Sequence, residues 1–113
     1  MAYDEELAAR MRDRFDGMPG VSEKKMMGGV CFMIDGNMLG AARRMKSGDA
    51  HFMFRVGKDN EAEALRLPGT RPMTHGGRKM GGFIYLDEEA AEEAAMRALT
   101  SLTLAYVTTL PPK

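Results

Sequence analysis

The stretch that decides the fold runs from Val21 to Val56 and reads VSEKKMMGGVCFMIDGNMLGAARRMKSGDAHFMFRV. Its apolar residues recur with a period of two, the spacing of extended chain rather than helix. Strands are therefore expected at Val21–Met27, Val30–Ile34, Asn37–Ala42 and His51–Val56. Gly28-Gly29 separates the first two. Asp35-Gly36 separates the next pair, where glycine accepts the positive φ of a tight hairpin turn. Ser47-Gly48-Asp49 marks the turn after that. In the second strand Val30, Phe32 and Ile34 face one way and Cys31 and Met33 the other. Both faces are apolar, so this strand reads as central and at least partly covered on both sides. In the fourth, Phe52, Phe54 and Val56 share one face and His51, Met53 and Arg55 the other, a half-buried pattern with a polar outer face.

Outward from this block the period changes. Leu7, Met11, Phe15 and Met18 recur at helical spacing, widened by Ala8, predicting a helix from Asp4 to Asp16 that Asp4 caps and Gly17 stops. Downstream, a short helix is expected from Asn60 to Leu67, capped by Asp59 and ended by Pro68-Gly69. The next segment, TRPMTHGGRKMGG from Thr70 to Gly82, carries four glycines and a proline. It reads as a loop or irregular hairpin with room for one short strand. Phe83–Leu86 resumes as strand, and Asp87 is expected to cap a final helix with Glu88 and Glu89 in its first turn. That helix would bury Ala91, Ala95, Ala98, Leu102 and Tyr106, with Ala94 and Leu99 beside them. The order α-β-β-β-β-α-β-α describes a two-layer α+β domain: an antiparallel sheet of about five strands, with helices mainly on one face.

With 113 residues, the chain has room for one hydrophobic core. A single cysteine cannot close an internal disulfide, which fits a reducing compartment. No apolar run approaches the roughly 20 residues that span a bilayer. The expectation is a cytoplasmic protein without membrane contact. Net charge is zero, yet residues 43–80 carry nine basic groups against four acidic ones, so the centre is basic and the ends acidic. A basic centre suits an anion or nucleic acid, but acidic helices packed nearby would cancel much of its far field, so direct DNA binding is not favoured. Twelve methionines point to a plastic core or an adaptable interaction surface.

The residues with reactive side chains do not fall into a catalytic pattern. Cys31 sits in an apolar strand with nothing local to lower its pKa, so it reads as core. His51 and His75 read as surface or strand-edge residues, and their spacing with Cys31 matches no metal motif. No catalytic residue, metal or cofactor is expected. The candidate anion- or partner-binding set is Arg43, Arg44, Lys46, Arg71, His75, Arg78 and Lys79. Within it, glycine-flanked amides beside Arg71, Arg78 and Lys79 suit a phosphate or carboxylate. The competing reading pairs those arginines with the acidic first turn of the last helix.

Several segments together resemble the TfoX N-terminal domain family. They are YDEELAARMRDRF, then PGVSEKKMMGGVCFMIDGNM, then RPM and GRKMGGFIYLD, and a long helix ending LPPK. The motif residues are Lys25, Met26, Gly28, Gly29, Asp35, Gly36, Asn37, Arg71, Pro72, Met73, Gly77, Arg78, Met80 and Gly82. The chain departs from the family at Met27 and Phe83, where the family commonly has aromatics, often Trp at the second. The resemblance implies an architecture similar to secretion chaperones and a regulatory role rather than catalysis, exercised by binding another protein. Separately, if helices cover only one sheet face, the Cys31 and Met33 side needs cover, which a homodimer, the loops or the last helix would supply. Full-length TfoX/Sxy regulators of natural competence carry a second, C-terminal domain, which is expected to be absent from a chain ending at Lys113.

Overall fold

The computed structural model describes residues 4–26 and 28–113. The expected strand end at Met27 lies outside them. Helix α1 spans Glu5–Arg14, with Asp4 as its cap: the Leu7 N–H donates to Asp4 Oδ1 at 3.1 Å. It buries Leu7, Ala8 and Met11, the expected stripe, with Phe15 just beyond. Strands β1 (Val21–Met26), β2 (Gly29–Ile34), β3 (Asn37–Arg44) and β4 (Ala50–Arg55) follow as an antiparallel meander. The β2–β3 approach is so close that a Cβ at Gly29 would run into the Ala42 carbonyl and the Arg43 side chain. Gly28, at φ +76°, makes the turn before it. The motif glycines thus serve the hairpin, as the period-two reading implied.

Three expectations need correction after Val56. The expected helix Asn60–Leu67 shrinks to a 3-10 turn at Lys58–Asn60 and a single turn, α2 (Glu61–Ala64). Asp59 does not cap it. The Asn60 side-chain amide donates instead to the Val56 carbonyl, and the Thr70 hydroxyl donates to the Ala64 and Leu67 carbonyls, so local side-chain bonds replace further helical ones. The glycine-rich segment is a full hairpin. β5 (Thr70–His75) pairs with β6 (Arg78–Asp87) across a Gly76-Gly77 turn, both at positive φ as a two-residue hairpin turn requires. The sheet therefore has six strands in the order β1-β2-β3-β4-β6-β5.

The final helix, α3 (Glu93–Val107), is capped at Glu92 and so starts five residues later than expected. Asp87 stays in β6, and its carboxylate pairs with Arg71 at 3.0 Å rather than capping a helix. A 3-10 turn at Glu88–Ala90 intervenes. The buried face of α3 is also rotated. It comprises Ala95, Met96, Leu99, Thr100, Thr103 and Val107, while Leu102 and Tyr106 are half-buried. Thr100 hides its hydroxyl by donating to the Met96 carbonyl at 2.7 Å, which lets a polar residue occupy the core.

All three helices contribute to one core with Val30, Phe32, Ile34, Phe52, Phe54, Ile84 and Leu86 on one face of the sheet. The fold is α+β, as read, with one more strand. A bulge between Phe32 and Met33 sets Leu39 into that core as an extra residue of β3. The free edges are β1, exposed at Glu23, Lys24 and Lys25, and β5, which carries Pro72. No helix among the described residues is long and apolar enough to cross a membrane.

Candidate binding groove

Alternation, interrupted at the Phe32/Met33 bulge and between Pro72 and Thr74, sends a second set of mostly apolar residues to the face away from the helices. They form a groove of about 250 Å³ to which all six strands contribute. Cys31, Ala41 and Met53 belong to its central part, with Met38, Phe83 and Tyr85 beside them. Met26 from β1 shares it with Met73 and Met80 from the β5–β6 hairpin, so residues from opposite ends of the sheet meet across the groove. An irregularity between Pro72 and Thr74 carries that hairpin there, since β6 has extra residues around Gly81-Gly82. The Gly82 carbonyl accepts the Val56 and Gly57 N–H groups, and its own N–H donates to Glu61 Oε1 at 2.7 Å. Met26 and Met80 remain 44% and 38% exposed, which makes them rim rather than floor.

The polar members of the groove are Arg43 and His51, cross-strand neighbours on β3 and β4. His51 is buried, not at the surface as expected, and Met53 beside it is buried too. The outer face of β4 is therefore more enclosed than a half-buried pattern predicts, while His51 and Arg55 keep it partly polar. The His51 ring lies 4.3 Å from that of Tyr85. Burial pushes the His51 pKa below its ordinary value, and the Arg71 and Arg43 charges push the same way against a weaker opposing pull from Asp87. Burial and the two arginines thus favour the neutral imidazole. Arg43 makes no ion pair, and its buried Nε–H has no hydrogen-bond partner, among the described residues. Cys31 is 6% exposed, and burial raises its thiol pKa against a smaller effect of Lys24, so the sulfur stays protonated and core-like.

The other candidate residues scatter. Arg44 points to the helix side, where Nε donates to Asp4 Oδ2 at 2.7 Å and Nη2 meets Glu88 at 3.0 Å. The Asp4 carboxyl is held below its usual range by the Leu7 N–H first and by Arg44 second. Arg71 lies over the Tyr85 ring, 4.7 Å from its centre, while pairing with Asp87. Lys79 pairs with Glu61 at 2.6 Å and is the first cause of that carboxyl's lowered pKa, ahead of the Gly82 N–H. Lys46 is exposed in the β3–β4 turn, and His75 and Arg78 face each other, exposed, at the hairpin tip. The set does not form one basic patch. Arg71 does pair with an acid, as the competing reading held, though with a strand residue.

A second, wider cleft of about 650 Å³ holds Arg55 between the Phe83 and Tyr106 rings, 5.8 and 5.5 Å from their centres, with Lys58 and Asp59 nearby. Among the described residues, no group of three or more His, Cys, Asp or Glu side chains is arranged to hold a metal ion.

Sequence reasoning passed over Met38, Met53, Phe83 and Tyr85 as site residues. Their signal was present in the alternation, Cys31 and Met33 against His51 and Met53. What it lacked was the bend that folds the hairpin toward β1. Comparison with known proteins gives one match: the TfoX N-terminal domain model aligns with residues 13–106. No curated protein and no solved structure matches the chain.

Proposed function

We propose, since this chain belongs to the TfoX N-terminal domain family, that it is a cytoplasmic regulatory module that acts by binding another protein rather than by catalysis. The family match over residues 13–106 carries the reading. It is supported by a protonated, buried Cys31 and by the rim methionines Met26 and Met80, whose flexible side chains suit adaptable protein contact. The regulated process would be transcriptional, as in the competence regulators that the sequence resembles. The nucleic-acid alternative has less support, because Arg44, Arg71 and Lys79 are already held by carboxylates.

The test is affinity capture at near-physiological concentration. The expected result is one partner retained in stoichiometric amount and released when Met80→Asp places a charge on the rim. Finding no specific partner counts against the reading. A fluorescence titration with duplex DNA at two salt concentrations tests the alternative, since phosphate contacts would give tight binding at low salt and a steep loss with added salt. Sedimentation decides whether a second copy is the partner.

A further inference from the structure

The groove contains an unusual mismatch. It holds an arginine, yet among the described residues no aspartate or glutamate lines it. Elsewhere in the described structure Arg12, Arg14, Arg44, Arg71 and Arg97 each meet a carboxylate. Arg43 alone combines a position in an apolar groove with a buried Nε–H that has no partner among the described residues. A buried donor left unpaired is costly, and on an ionised group more so, so the site is electrostatically incomplete. A guanidinium matches a carboxylate in shape and charge, and its two terminal N–H groups can meet both carboxylate oxygens end-on.

Size narrows the rest of the ligand. An apolar cavity of about 150 Å³ accommodates benzene. At about 250 Å³ the groove holds roughly ten non-hydrogen atoms on that scale. That is one ring or a short branched chain plus an acid group. Sulfur and aromatic surfaces suit such a body: Met38, Met53 and Met73 are flexible enough to close on it, and Phe83 offers a ring. Pockets of this kind, mostly apolar with one or two placed polar groups, are the usual form of small-molecule sites.

We propose that this groove binds a small free carboxylic acid with an apolar body of ring size, its carboxylate on Arg43 and its body among Met38, Met53, Met73 and Phe83. The inference goes beyond the partner reading and stands or falls separately from it. A ligand seated there lies directly beneath the Met26 and Met80 rim, so occupancy would change the surface offered to a protein.

The experiment uses protein labelled with ¹³C at the methionine methyl groups, titrated with hydrocinnamate. The expected result is a saturable shift of the Met38, Met53 and Met73 signals, while those of Met11 and Met96, buried in the opposite core, hold still. Arg43→Met weakens hydrocinnamate by roughly tenfold to a hundredfold, the worth of a charged hydrogen bond. The neutral amide of the same acid binds the wild type weakly and is indifferent to Arg43→Met. Arg43→Gln serves as a second variant should Arg43→Met lose the dispersed methyl spectrum of a folded chain. Three results overturn the proposal: no shift at millimolar hydrocinnamate, equal binding of acid and amide, or unchanged affinity in both Arg43 variants. A tetrapeptide ending in phenylalanine is the last arm. Tighter binding of that peptide than of hydrocinnamate would assign the groove to a chain terminus and overturn the free-acid proposal. Loss of hydrocinnamate binding with partner capture intact would leave the regulatory reading untouched, and the reverse holds equally.

Discussion

The two faces of one sheet are both apolar, and they are finished in opposite ways. On one, α1 and α3 seal Phe32, Phe52, Phe54 and Leu86 to zero exposure. On the other, Cys31, His51 and Met53 are sheltered to within 6–7% exposure by their neighbours, which include Met73 and Met80 of the β5–β6 hairpin, but a groove remains. The first face uses phenylalanine, leucine and isoleucine, which pack in fixed rotamers. The second uses methionine, which conforms to whatever is present. The difference teaches that burial alone does not mark a core. What marks it is whether the covering element fills the space.

The largest effect should come from the sealed face. Phe32→Ala is expected to cost about 3–5 kcal/mol in urea unfolding, since a closed core cannot refill the lost volume. Met53→Ala on the open face should cost less, no more than about 2 kcal/mol, because the space it leaves joins a groove that water can enter. Equal losses in the two variants would break the comparison and make the groove a second core.

A smaller change of opposite sign is expected at Thr103, which is fully buried with its hydroxyl unpartnered among the described residues. Thr103→Val removes that group at nearly constant volume and should stabilise by about 1 kcal/mol, raising the melting temperature. No gain would mean that the hydroxyl finds a partner. The smallest effect belongs to His51 and depends on pH. Its folded pKa is depressed, so below the ordinary 6.5 the unfolded chain binds a proton that the folded chain resists, and stability falls as pH drops through that value. The groups facing it are Arg71, Arg43 and Asp87. His51→Phe should flatten the slope of stability between neutral pH and the range where carboxylates begin to titrate. An unchanged slope would show that His51 is solvated.

Most of the covered face was legible in the sequence. Alternation about Val30, Phe32 and Ile34 and the helical spacing of Leu7 and Met11 need only local geometry. The late start of α3 was not legible. Asp87 has the chemistry of a cap, but pairing with Arg71 sixteen residues back draws it into a strand. Nor was the rotation of α3, because Thr100 and Thr103 look polar until a helix hides one hydroxyl on its own backbone. The groove was half legible. Its residues alternate visibly, yet the enclosure depends on the register change near Pro72, a long-range feature that no local spacing encodes. The basic set failed as a cluster for a simple reason: Arg43 and Arg44 are neighbours on a strand and so point to opposite faces.

One consequence follows from the two sheet edges. A chain with an open apolar face and unpaired backbone at both margins would ordinarily be prone to stack into fibrils. Here β1 presents Lys24 and Lys25, and β5 presents Pro72, which lacks the N–H an incoming strand would need. Charge on one edge and a missing N–H on the other both disfavour growth by strand addition, the hazard that an open apolar face would otherwise compound.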